Sequence, residues 1–123
     1  MKKLVYSPDY TEKMRKMKQR LTLMFDEKVS NRVIKEIGSK VRSLKQNEKI
    51  GISVREMYGV DSDFLFVFIE KNYVFYLIEP EYIKIVNIYN EKEDFMRQLF
   101  NIKTTSQESE DYWDDYEWDL NNK

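Results

Sequence analysis

Between Phe64 and Ile88 long apolar runs alternate with very short polar ones, and this spacing restricts the fold more than any other feature of the chain. Phe64-Leu65-Phe66-Val67-Phe68-Ile69 is followed by Glu70-Lys71-Asn72, then Tyr73-Val74-Phe75-Tyr76-Leu77-Ile78, then Glu79-Pro80-Glu81, then a run from Tyr82 to Tyr89. Aromatic and β-branched residues dominate each run, as strands favour. Two or three polar residues are too few for a crossover, so consecutive strands must return antiparallel, as a meander. The first run is apolar on both faces and is expected at the centre of the sheet.

Ahead of the meander the period is helical. Lys2–Tyr6 reads as a first strand. Tyr10, Met14, Met17, Leu21 and Met24 then recur at spacings of three and four. Ser7 is placed to cap this helix, Pro8 occupies its first position and Asp9 adds negative charge to its first turn. A second stripe of Val33, Ile34, Ile37, Val41 and Leu44 marks a second helix, capped by Asp26 or Ser30. Gly38 stands in that stripe, where it weakens the helix and permits close packing. A short link near Phe25–Ser30 makes the two a helical hairpin. Ile50, Ile52 and Val54 alternate with Gly51, Ser53 and Arg55, which predicts a half-buried strand, and Tyr58–Asp63 reads as a turn. Asn90 is placed to cap a last short helix, Glu91–Phe100. The fold class is therefore α+β: a strand, a helical hairpin, an antiparallel strand meander packed on the helices, and a short C-terminal helix. Residues 1–100 are expected to form this domain and residues 101–123 a separate tail.

Composition narrows the chemistry. The chain has 123 residues, enough for one domain, and 41% are apolar. It contains no cysteine and no histidine. Disulfides, thiol nucleophiles, Cys/His zinc sites and imidazole bases are thereby excluded. Acid–base work would fall to Glu, Asp, Lys or Tyr. The three well-separated glycines form no phosphate loop, and no cofactor is expected. No apolar run reaches the length of a membrane span. Ser7, Pro8 and Asp9 interrupt the start after Met1-Lys2-Lys3-Leu4-Val5-Tyr6, so a secretory signal is not expected and the cytoplasm is the simplest compartment.

The net charge of -1 conceals an asymmetry. Residues 101–123 hold two lysines against seven acids, a net of -5, so residues 1–100 carry +4. The outer faces of the two helices supply much of the positive charge, either as plain solvated surface or as a footprint for phosphate backbones. The tail sets Tyr112, Trp113, Tyr116, Trp118 and Leu120 among its acids. Three roles are open to it: docking on its own domain, awaiting a partner, or aiding solubility.

An ordered set of short runs resembles the bacterial RelE/ParE toxin superfamily. The set comprises Val5-Tyr6-Ser7-Pro8, Arg55-Glu56-Met57-Tyr58-Gly59, Phe64–Ile69, Asn72-Tyr73-Val74-Phe75-Tyr76 and Ile85-Val86-Asn87-Ile88-Tyr89-Asn90, closed by Asp94 and Leu99-Phe100. The resemblance spans residues 1–100 and leaves out the tail. It implies the toxin of a type II toxin–antitoxin module, neutralised by a cognate antitoxin that wraps its helices and sheet edge. Most nuclease members cut mRNA on the ribosome without a metal, while ParE-type members poison DNA gyrase. A non-toxic binding domain, with the acidic tail as an in-built partner mimic, is a further alternative.

This chain departs from the nuclease pattern at definite positions. Tyr73 stands where nucleases place Arg in the strand after the hairpin turn, and Asn87 and Asn90 stand where many have Arg and His. Metal-free RNA cleavage requires a base, an acid and cations at the phosphate. A rearranged site would use Arg55, Tyr89, Lys92 and Arg97 for catalysis, with Lys71, Tyr73 and Asn90 contacting RNA. Each has an ordinary reading as well: Arg55 as a solvent-face strand residue, Tyr89 as a core-edge phenol, Lys92 and Arg97 as solvated cations, Lys71 as a turn residue and Tyr73 as strand packing.

Overall fold

The structure is a computed structural model that describes residues 2–100. It divides into two compact units, Met1–Glu91 and Lys92–Lys123. The expected tail at 101–123 lies outside the described residues.

In the first unit, strand β1 (Lys3–Tyr6) leads into helix α1 (Pro8–Met24). Ser7 caps α1, its hydroxyl accepting from Tyr10 N–H at 3.0 Å, with Pro8 in the first turn. Helix α2 (Glu27–Arg42) follows, and Asp26 provides its cap through Val29 N–H at 2.8 Å. Ser30, the other candidate cap, is instead buried inside α2, where its hydroxyl donates to Lys18 O at 3.0 Å and ties the two helices together. A 3-10 turn at Ser43–Lys45 carries Leu44 into the core. Gly38 makes room for a neighbour on its own helix: an added Cβ would stand 3.0 Å from Arg42 Nη1.

The predicted strand over Ile50–Val54 is mostly absent. Strand β2 is only Ile52–Ser53, and helix α3 (Val54–Tyr58) begins at once. Ser53 accepts from Glu56 N–H at 3.3 Å, and Gly59 closes the helix in the left-handed region at φ 70. Ser53-Val54-Arg55-Glu56 has the sequence form of a capping box, and this local start signal outweighs the two-residue period before it. Tyr58 accordingly ends a helix before the turn begins.

Strands β3 (Leu65–Ile69), β4 (Asn72–Ile78) and β5 (Tyr82–Asn90) form the meander. The sheet order is β1-β5-β4-β3-β2, with β1 parallel to β5 and the other pairs antiparallel. The central strand is thus β4. Strand β3 has only two residues of β2 beyond it, which leaves Phe68 at 47% exposure. One sheet face meets the helical hairpin. Val67, Val74, Tyr76, Ile83, Ile85 and Ile88 pack there with Tyr10, Met17, Val33, Ile37, Val41 and Leu44. Burying such a side chain contributes roughly 1.5–3 kcal/mol.

The second unit is described over Lys92–Phe100. Helix α4 is Phe95–Phe100, shorter than the predicted Glu91–Phe100. Asn90 does not cap it, because it still belongs to β5. Asp94 accepts from Arg97 N–H at 3.2 Å at its start. Among the described residues, no helix is long and apolar enough to cross a membrane.

Candidate functional site

The other sheet face is the candidate site. Side chains alternate along a strand, so Val67, Val74 and Tyr76, which face the helices, leave Phe66, Phe68, Tyr73 and Phe75 on the opposite side. A register shift in β4–β5 then recruits β5. Phe75 pairs with Asn87 but Tyr76 pairs with Ile85, so Val86 is an extra residue. Without it, Asn87 and Tyr89 would share the face of Ile83 and Ile85. With it, they join Tyr73 and Phe75.

Aromatic rings pack in tilted and T-shaped pairs across this face. Centroids are 4.9 Å apart for Phe68 and Tyr73, 5.4 Å for Phe66 and Tyr73, 5.6 Å for Phe66 and Phe75, and 5.9 Å for Phe75 and Tyr89. Tyr58 of α3 and Phe64 extend the cluster, at 6.2 Å from Phe66 and 6.4 Å from Phe75. Each such pair adds about 0.5–1.5 kcal/mol beyond burial. Burial, then the neighbouring Tyr73 phenol, push the Tyr58 hydroxyl above the usual tyrosine range. Tyr58 is therefore a neutral hydrogen-bonding group near pH 7.

Tyr89 closes the cluster on the β5 side and is 4% exposed. Its hydroxyl accepts from Asn87 Nδ2 at 3.1 Å. Lys13 of α1 reaches over its ring, Nζ 3.7 Å from the centroid, and donates to Ile88 O at 3.1 Å. Nothing in the sequence separates Lys13 from the other cations of the α1 face, because its role depends on α1 running alongside β5.

Arg55 lies on α3 and not in a strand. Its guanidinium pairs with Asp61 at 2.8 Å and Asp63 at 3.2 Å, closing the loop that follows α3. Arg55 follows β2, whereas Tyr89 is on β5, and β3 and β4 lie between those two strands, which are three strand spacings or about 14 Å apart. Lys71 sits in the β3–β4 turn at φ 62, and its carbonyl accepts from Glu91 N–H at 2.8 Å. Tyr73 lies within the aromatic cluster, and Asn90 pairs in register with Asn72 at the end of β5. Lys92 and Arg97 belong to the second unit. The geometry of the first unit therefore brings Tyr73 and Tyr89 onto one face and leaves Arg55 at the far edge. Of the further residues that build this face, Phe66 and Phe75 carry one sequence signal, aromatics at alternate positions of consecutive strands, while Tyr58 comes from helix α3. Among the described residues, no group of three or more Asp or Glu could hold a metal ion.

A solved chain described as "Chromosomal ParDE TA system from P. aeruginosa" has a similar structure, with a TM-score of 0.62 at 13% sequence identity. The match covers 73% of this chain and 96% of that one. The fold is RelE/ParE-like. Neither a family model nor a curated protein matches the sequence.

Proposed function

We propose that this chain is the toxin component of a toxin–antitoxin pair and is neutralised by a cognate antitoxin. The observation that carries the reading is the RelE/ParE-like fold shared with a chain of a ParDE toxin–antitoxin system. The aromatic character of this sheet face supports action by binding, as in ParE-type inhibition of gyrase: Phe66 and Phe75 are buried beneath it, and Phe68 and Tyr58 are its exposed rings, at 47% and 39%. Phe66, Phe68, Tyr73 and Phe75 occupy the strands where a metal-free nuclease needs cations, and Arg55 is held by two carboxylates. An aromatic surface contacts a protein through apolar area and ring packing, and it offers little to a phosphate.

Induction in a host lacking the adjacent reading frame tests the reading. Growth should slow, and co-expression of the adjacent product should restore it with recovery of a stable complex. Unimpaired growth together with no complex would refute it. Supercoiling by purified gyrase should fall when the protein is added; unchanged supercoiling at saturating protein would remove gyrase as the target.

The second reading is ribosome-dependent mRNA cleavage, with Arg55, Tyr89, Lys92 and Arg97 as catalytic residues and Lys71, Tyr73 and Asn90 as RNA contacts. The Lys13 ammonium beside Tyr89 favours it, since a cation next to a phenol is a fit partner for a phosphate or a developing negative charge.

A further inference from the structure

The helical hairpin is longer than the sheet beneath it. Ser7 N–H donates to Ile85 O at 2.9 Å and Lys13 Nζ to Ile88 O at 3.1 Å. Over that interval α1 advances about 9 Å and β5 about 10 Å, so helix and strand run side by side. Past Lys13, α1 continues to Met24, about 16 Å further, whereas β5 continues only to Asn90, about 7 Å. The last turns of α1 and the first of α2 therefore overhang the sheet end by roughly 10 Å. Leu23, Met24 and Phe25 stand there at 86%, 64% and 61% exposure. Three adjacent large apolar side chains at such exposure mark an interaction surface, where scattered single ones would not.

The overhang is also cationic. Residues 16–35 hold six Lys or Arg against Asp26 and Glu27. Lys18, Arg20, Lys28 and Lys35 have no carboxylate within 4 Å among the described residues. The main chain leaves the first unit at this same end: Glu91 N–H donates to Lys71 O at 2.8 Å, and Arg32 of α2 pairs at 3.1 Å with Glu70 in the same turn. Residues 92–107, which include helix α4 and span at most about 40 Å, then lead to a segment with the complementary chemistry. Residues 108–120 carry seven carboxylates together with Tyr112, Trp113, Tyr116, Trp118 and Leu120.

We infer that the overhanging end of the helical hairpin is the docking site for the acidic, aromatic segment 108–120 of the same chain. Its rings and Leu120 would cover Leu23, Met24 and Phe25, and its carboxylates would face Lys18, Arg20 and Lys28. Tethering favours this occupant over a free one, because a linker of this length maintains a millimolar effective concentration. The inference concerns the surface alone and does not depend on the toxin reading.

Trp113 and Trp118 are the chain's only tryptophans, so tryptophan emission reports on this segment alone. The full-length protein should emit at shorter wavelength, and resist acrylamide quenching severalfold better, than a peptide of residues 104–123, independently of protein concentration. Leu23→Ser with Phe25→Ser, and separately Lys18→Glu with Arg20→Glu and Lys28→Glu, should move both readings to the peptide's values. Far-UV circular dichroism should stay unchanged, as all five side chains are exposed. Hydrogen exchange of residues 18–32 gives a second measure and should speed up in full-length Trp113→Ser/Trp118→Ser. Peptide-like emission from the unmodified protein would overturn the inference. So would a blue shift that neither hairpin variant moves, a blue shift that grows with concentration and hence reports a second copy, or exchange unchanged by loss of both tryptophans.

Discussion

Tyr76 shows how much one side chain can organise. Its ring is fully buried on the helix side of the central strand, yet its hydroxyl reaches the loop before β2. There it donates to Glu48 O at 2.7 Å and accepts from Gly51 N–H at 2.9 Å. Gly51 has no space for a Cβ, which would lie 2.4 Å from that hydroxyl and 2.9 Å from Phe66 O. Lys2 holds the same loop through Glu48 at 3.0 Å. Tyr76→Phe should lower stability by about 1–3 kcal/mol, because it leaves a donor and an acceptor without their partner. Urea unfolding measures this, and an unchanged midpoint would show that water replaces the hydroxyl. Tyr10 makes a prediction about pH. Burial chiefly, and then the Tyr6 phenol, raise its hydroxyl from 10.0 to about 12 against the opposing Arg42 guanidinium. The folded state therefore favours the neutral phenol more than the unfolded chain does. That contribution is complete below pH 10 and is lost as pH rises from 10 to 12. The alkaline fall in stability should be shallower in Tyr10→Phe by about 2 kcal/mol across that window, read from unfolding curves at each pH. Equal slopes would contradict the assignment.

The β3–β4 turn shows an element closing under strain. Glu70 and Lys71 both have positive φ, at 51 and 62, the conformation that a two-residue hairpin of this twist requires. Neither residue favours it. Asn72 Nδ2 compensates by donating to Glu70 O at 2.6 Å, and Glu91 N–H by donating to Lys71 O. Lys71→Gly should raise stability by about 0.5–1 kcal/mol, since relief of the left-handed strain outweighs the added freedom of the unfolded chain. Thermal unfolding would register it as a higher midpoint, and a lower midpoint would mean that the lysine side chain itself stabilises the turn. The hairpin's position was legible from Glu70-Lys71-Asn72 between two apolar runs. Helix α3 was harder to see, because Ile50, Ile52 and Val54 follow a strand period while Ser53, Glu56 and Gly59 mark a helix. The cap and the left-handed stop prevailed, and Arg55 moved from a strand to a helix whose following loop it clamps.

At the scale of the molecule, the two sheet faces have different work. One is consumed by the hairpin, and the other gathers aromatic side chains from α3, the segment before β3, and β3, β4 and β5. A toxin that acts by binding through this face would be insensitive to loss of a nuclease acid or cation. Arg55→Ala combined with Tyr89→Phe should leave growth inhibition on induction within about twofold, whereas Phe68→Ala with Tyr73→Ala should abolish it, about 1–2 kcal/mol being expected for each truncated aromatic anchor. The Phe68 and Tyr73 variants require a circular dichroism check, since the two rings also pack on each other. Mapping RNA ends in the same cells separates the readings: new cleavage products that vanish in Arg55→Ala/Tyr89→Phe would establish the nuclease instead.

Local signals in the sequence determined the helical hairpin with its Ser7 and Pro8 start, the Asp26 cap as one of two candidates, and the meander with its short turns. Each depends on residues within one or two turns of one another, where capping, helical period and turn length act directly. The apolar core stripe was legible for the same reason. Tertiary structure alone decided the rest. The parallel seat of β1 against β5 and the central place of β4 depend on which strands meet, and a run of apolar residues does not specify that. The extra residue at Val86 decided that Asn87 and Tyr89 face away from the helices, because one residue inserted in a strand turns every later side chain over. The approach of Lys13 to Tyr89 depends on α1 keeping step with β5. The strand block that most restricts the fold therefore supplied the aromatic residues of the candidate face, and the register of pairing decided which of them share it.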